Sequence, residues 1–128
     1  MESELQAQII EYLRKVALGN AIIRLERRNG GVIRKNNGDF GAFAYRVYLP
    51  GMSGITKGMP DIEGILYDGR WFGIEVKHGK NKLSMQQQVF AQHAKQHNLT
   101  YLLAYSLNDV IGWVQDIREI QEGNKLCG

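Results

Sequence analysis

Asp61, Glu75 and Lys77 are the residues in this chain whose types and spacing could do chemistry together. In Trp71-Phe72-Gly73-Ile74-Glu75-Val76-Lys77, strand period puts Phe72, Ile74 and Val76 on one face, expected to be buried. Glu75 and Lys77 fall side by side on the other, with Gly73 before them leaving room. Alone, such an acid and base could be an ordinary ion pair. Asp61 adds a second carboxylate. It follows Gly58-Met59-Pro60 at the mouth of a strand that an Asp68-Gly69 hairpin would fold against Trp71–His78, bringing Asp61 within metal-sharing reach of Glu75. Two converging carboxylates repel unless a cation neutralises them or one is protonated. Magnesium takes oxygen ligands, uses one or two carboxylates and keeps sites for water and phosphate oxygens. A lysine beside it can orient or deprotonate a water and stabilise charge on the phosphate.

The elements that must position these groups follow from periodicity. Leu5, Ile9, Tyr12, Leu13 and Val16 recur at helical spacing and predict a helix over residues 3–18, stopped by Gly19-Asn20. Residues 21–28 read as a strand. Turn signals at Asn29-Gly30-Gly31 and Asn36-Asn37-Gly38-Asp39 leave Val32–Lys35 and Ala42–Leu49 as hairpin strands, and residues 50–59 form a glycine-punctuated loop. Strands over 61–67 and 71–78 precede a helix over 84–98, capped by Ser84 with Gln87 completing a capping-box pattern. The apolar run Tyr101–Tyr105 predicts a central strand. Ser106 starts a last helix, with Val110, Trp113, Ile117 and Ile120 on one face. The order predicts an α/β fold, a mixed sheet with helices packed on it.

The 128 residues fit one domain, 1–128. With no bilayer-crossing run and no leader, the expected location is the cytoplasm or nucleoid. The only cysteine, Cys127, excludes an internal disulfide and a cysteine-based zinc site. His93 and His97 stand four apart on a helix, a pair that could hold zinc but lacks a third ligand. The net charge of +3 is unevenly spread: residues 14–95 carry 14 of the 16 Lys/Arg and 6 of the 13 Asp/Glu, between acidic ends. A basic middle suits a polyanion or a solvated surface. Arg24, Arg27, Arg28, Arg34, Lys35, Arg46 and Lys57 crowd the region before Asp61, and Lys80 and Lys82 follow the Glu75 strand. These are candidate phosphate contacts.

Pro60-Asp61 followed by Glu75-Val76-Lys77 resembles the PD-(D/E)xK nuclease pattern. The finer resemblance, over about residues 2–105, is to the VRR-NUC (virus-type replication-repair nuclease) family. It is carried by Glu2-Ser3-Glu4-Leu5-Gln6, by Arg46 with Gly51 leading to Gly58-Met59-Pro60-Asp61, by Glu75-Val76-Lys77, and by Leu83-Ser84-Met85-Gln86-Gln87. Residues 28–43 match no feature of that family. The resemblance implies a restriction-endonuclease-like fold and Mg2+ or Mn2+ held by Asp61, Glu75 and the carbonyl of Val76. It makes Lys77 the water-orienting base, has Gln87 help fix the site, and puts an early helix-1 glutamate near it. Helical phase places Gln87 on the stripe of Phe90, Ala91 and Ala94, and Glu2 on the face of Leu5, Ile9 and Val16, with Glu4 about opposite. A backbone-bonded core glutamine and a helix-start acid complementing the dipole are the alternatives for these two.

The resulting expectation is a metal-dependent, structure-selective DNA endonuclease acting on branched DNA such as four-way junctions. The rivals are a sequence-specific restriction-type enzyme and a non-catalytic DNA-binding module on the same fold. Cutting both strands of a junction needs two sites, which predicts a two-fold homodimer. Met85 and Val89, off the α-helical stripe of Phe90 and Ala94, are candidate contact surface unless they pack under strands of their own chain.

Overall fold

The computed structural model describes residues 2–28, 31–33 and 58–127, with the backbone alone for 31–33 and 124–127. The order of elements is α1 (Glu2–Val16), β1 (Ile22–Arg27), β2 (Gly31–Ile33), β3 (Ile62–Leu66), β4 (Trp71–Val76), α2 (Met85–Gln96), β5 (Thr100–Ala104) and α3 (Leu107–Cys127). The strands form one mixed sheet in the order β2-β1-β3-β4-β5, antiparallel except for the parallel pair β4–β5 that α2 connects. The expected strand over 42–49, the turn at 36–39 and the loop over 50–57 lie outside the described residues. β2 pairs antiparallel with β1, and Asn29 and Gly30, where the sequence predicts a turn, also lie outside the described residues.

Helices cover both faces of the sheet. On one face, Ile9 and Leu13 of α1 and Val110, Val114 and Ile117 of α3 enclose Phe72, Ile74 and Val76, as the alternation of β4 requires. The other face carries a smaller cluster, in which Phe90 and Ala94 of α2 cover Trp71, with Met59, Leu99 and Tyr101 packed around them. Burying an Ile or Phe side chain contributes roughly 1.5–3 kcal/mol, so the larger cluster dominates stability. Two sequence expectations change here. Residues 101–105 predict a central strand, whereas β5 ends the described sheet. Its run is apolar because both of its faces meet apolar groups: Leu102 packs against the larger cluster and Tyr101 against the smaller. Ile120 leaves the predicted stripe of α3 and is 58% exposed, while Val114 takes an inward place.

Local chemistry fixes the two joints that matter for the site. At the β3–β4 hairpin, Gly69 adopts φ +89°, which a glycine tolerates without cost, and Asp68 accepts from the Arg70 backbone N–H at 3.1 Å. At the start of α2, Gln87 N–H donates to Ser84 Oγ at 3.2 Å and Ser84 N–H donates to Gln87 Oε1 at 2.8 Å, a reciprocal capping box. No helix among the described residues is long and apolar enough to cross a membrane.

Candidate metal centre

The antiparallel register of β3 and β4 pairs Ile62 with Ile74 and Glu63 with Gly73. One step further along the same register sets Asp61 opposite Glu75, on the face away from the larger core. Pro60 is buried against β4 at Gly73. A Cβ at residue 73 would lie 2.5 Å from Pro60 Cγ and 2.5 Å from Trp71 Cη2, so the room expected beside Glu75 is filled by the proline that leads into Asp61. The Asp61 carboxylate is fixed on both sides. Its Oδ2 accepts from Val76 N–H at 3.0 Å, and its Oδ1 lies 3.5 Å from Arg28 Nη2. Arg28 also donates from Nη1 to the Met59 carbonyl at 2.9 Å and from its backbone N–H to the Asp61 carbonyl at 2.9 Å.

Glu75 is 4% exposed, and its Oε1 is buried without a hydrogen-bond partner. Its Oε2 lies 3.8 Å from Lys77 Nζ, a loose ion pair. Burial pushes the Glu75 carboxyl up to about 8, and the neighbouring Asp61 charge and side chain push in the same direction. Lys77 and Arg28 offset only part of this. Near neutral pH the pair therefore holds a proton where it could hold a cation.

The Val76 backbone completes the donor set. Its N–H points toward Asp61, and in a strand the carbonyl of the same residue points to the same side. The partner position across the ladder is Pro60, which has no N–H to donate. Two carboxylates, one with an orphaned oxygen, and a carbonyl facing a proline form an oxygen-rich corner that fits magnesium or manganese. Among the described residues no three His, Cys, Asp or Glu side chains converge, so any metal here would draw the rest of its ligands from backbone, water and substrate.

Comparison with known proteins returns no match. No family model, no curated protein and no solved structure is similar to the chain.

The remaining candidates divide by position. Glu2 is half-buried, and its Oε2 accepts from Asn81 Nδ2 at 3.2 Å, in the loop after β4. Glu4 is exposed. Gln87 spends its side-chain oxygen on the Ser84 cap, and the backbone of Gln86 and Gln87 abuts Gly58. Arg27 turns to α1, donating from Nε to Gln6 Oε1 at 3.1 Å. Arg28 stands at the rim of the site, while Lys80 and Lys82 are exposed in the β4–α2 loop. Arg34, Lys35, Arg46, Gly51 and Lys57 lie outside the described residues. His97 Nδ1 sits 2.9 Å from the His93 carbonyl, and the histidine pair gains no third ligand. Met85 and Val89 are 76% and 43% exposed, so no strand of the described residues packs over them.

Two sets of contacts at the site do not follow from the sequence reading. Arg28 was expected to contact phosphate, not to bind Asp61 and Met59. The sequence marks Tyr101 only as part of the apolar strand run. The parallel register pairs it with Gly73, on the Glu75 face, where its O–H donates to the Gly58 carbonyl at 3.3 Å. Burial raises its pKa, as do the charges of Glu75 and Asp61.

Proposed function

We propose that this chain is a metal-dependent nuclease of the VRR-NUC type, with a restriction-endonuclease-like fold and a phosphodiester-cleaving site built on Asp61, Glu75 and Lys77. The observation that carries the reading is the buried, unpartnered Oε1 of Glu75 facing a second carboxylate, with a lysine at 3.8 Å from the same side chain. A buried carboxylate pair is destabilising unless a proton or cation joins it, so its persistence in a fold needs a use. The residue pattern Pro60-Asp61 and Glu75-Val76-Lys77 supplies the class of use.

Asp61, Glu75 and the Val76 carbonyl would hold Mg2+ or Mn2+. When bound, the ion would stabilise charge on the phosphate and lower the pKa of a water. The chain's own groups do the rest. Lys77, partly buried at 14% exposure, is held by Glu75 where it can orient a water and hydrogen-bond a phosphate oxygen. Water adds to phosphorus and gives up a proton, a P–O ester bond breaks, and the leaving alkoxide takes up a proton to depart as the alcohol. Arg28, at 46% exposure, keeps the Asp61 carboxylate in place and presents its remaining donors at the rim to backbone phosphates, with Lys80 and Lys82 further out.

The substrate proposed is branched DNA, four-way junctions first, cut by a homodimer in which two copies of the site face opposite strands. Exposed Met85 and Val89 on α2 are the contact surface that supports the dimer. Incubation of the purified chain with linear, flapped and four-way DNA, with and without Mg2+, tests the reading. Magnesium-dependent cleavage, strongest on the four-way substrate, is expected. No cleavage of any DNA in either Mg2+ or Mn2+ would refute it.

A further inference from the structure

The segment Gly58-Met59-Pro60-Asp61 precedes β3, so no ladder on the β4 side holds it, yet it delivers the Asp61 carboxylate. Its placement rests on anchors from different elements. Gly58 is wedged beneath the first turn of α2. It adopts φ +84°, and a Cβ there would lie 2.4 Å from the Gln86 carbonyl oxygen and 2.9 Å from the Gln87 nitrogen. Met59 packs into the smaller core, Pro60 lies on Gly73, and Arg28 holds the Met59 and Asp61 carbonyls. At Gly58 itself, a side-chain hydrogen bond from β5 spans the gap: Tyr101 Oη donates to the Gly58 carbonyl at 3.3 Å.

We propose that Tyr101 is a positioning residue for Asp61, its hydroxyl fixing Gly58 so that Asp61 is held opposite Glu75 at metal-binding distance. The proposal rests on the metal-centre reading above. The phenol ring is itself fixed, with its centroid 5.8 Å from that of Phe90. Burial and the two nearby carboxylates raise its pKa, which favours the protonated, donating form. A rigid ring with one donor at its tip sets the height of the Gly58 carbonyl above β5. The three peptide units that follow carry that setting to Asp61.

The full-length chain with Tyr101→Phe tests this, because the change removes one oxygen and leaves the ring packed. Mn2+ alone is titrated calorimetrically into wild type, Tyr101→Phe and Asp61→Asn, and each protein is melted in EDTA. Loss of one neutral hydrogen bond predicts Mn2+ affinity about fivefold weaker in Tyr101→Phe. In EDTA its melting temperature should stay within about 5 °C of wild type. Mn2+ at saturation should restore its cleavage rate to within about twofold of wild type, since only the equilibrium placing Asp61 has moved. Asp61→Asn should not be rescued in this way. Wild-type Mn2+ affinity in Tyr101→Phe, or a larger drop in its melting temperature, would make Tyr101 a packing residue and overturn the proposal. Absence of Mn2+ binding by wild type would instead defeat the metal centre itself, and this inference with it.

Discussion

Glu75 shows what a single residue contributes and what it costs. Its carboxyl is raised from 4.5 to about 8, chiefly by burial and then by Asp61. In the unfolded chain it ionises near 4.5, so between that pH and about 8 the folded state binds the extra proton. Stability from this group therefore falls as pH rises through that window and is flat above it. Glu75→Gln resembles the protonated form. In EDTA the variant should melt above wild type at pH 8.5 and close to it at pH 5, as thermal melts across that range would show. Equal melting temperatures at both pH values would mean that Glu75 carries no buried-charge penalty. Asp61, Glu75 and Lys77 were legible in the sequence because strand alternation and a two-residue turn fix their relation locally. Arg28 and Tyr101 were not. Their contacts span 33 and 43 positions, Arg28 to Asp61 and Tyr101 to Gly58, and depend on which strands become neighbours. A period-two reading of residues 100–104 aligned with β4 would have placed Tyr101 on the right face, but only with the parallel register in hand.

Elements were easier to read than their arrangement. Each helix and strand of the described residues has its counterpart in the sequence reading, because apolar periodicity and caps act within a few residues. The place of β5 at the end of the described sheet escaped, since an apolar run reports coverage of both faces and not pairing on both edges. Helix α2 links element to site. Its capping box holds the first turn, and that turn supports Gly58. Ser84→Ala should cost about 1 kcal/mol of stability, measured by denaturant unfolding. Gln87→Glu keeps an oxygen acceptor for the Ser84 N–H, so it should cut DNA within about twofold of wild type. A hundredfold loss in that variant with an unchanged fold would mean that Gln87 touches the reacting groups directly.

At the scale of the whole molecule, the larger core lies beneath one face of the sheet and the candidate centre lies on the other, so the site can vary without the main source of stability. The proposed dimer would use the face of α2 on which Met85 and Val89 are exposed. Light scattering at micromolar concentration should give twice the monomer mass, and Met85→Glu with Val89→Glu should return it to one. A monomeric wild type that cuts four-way junctions symmetrically would contradict the dimer. The charge asymmetry was plain in the sequence, whereas the positions of Arg46 and Lys57 lie outside the described residues. The most direct measurement is cleavage of a four-way DNA junction in Mg2+ by wild type, Asp61→Asn and Lys77→Ala side by side, each shown folded by its melting curve. The account predicts cutting by wild type, none by Asp61→Asn, and a rate lower by roughly a hundredfold or more for Lys77→Ala. Cutting by Asp61→Asn at the wild-type rate would contradict it.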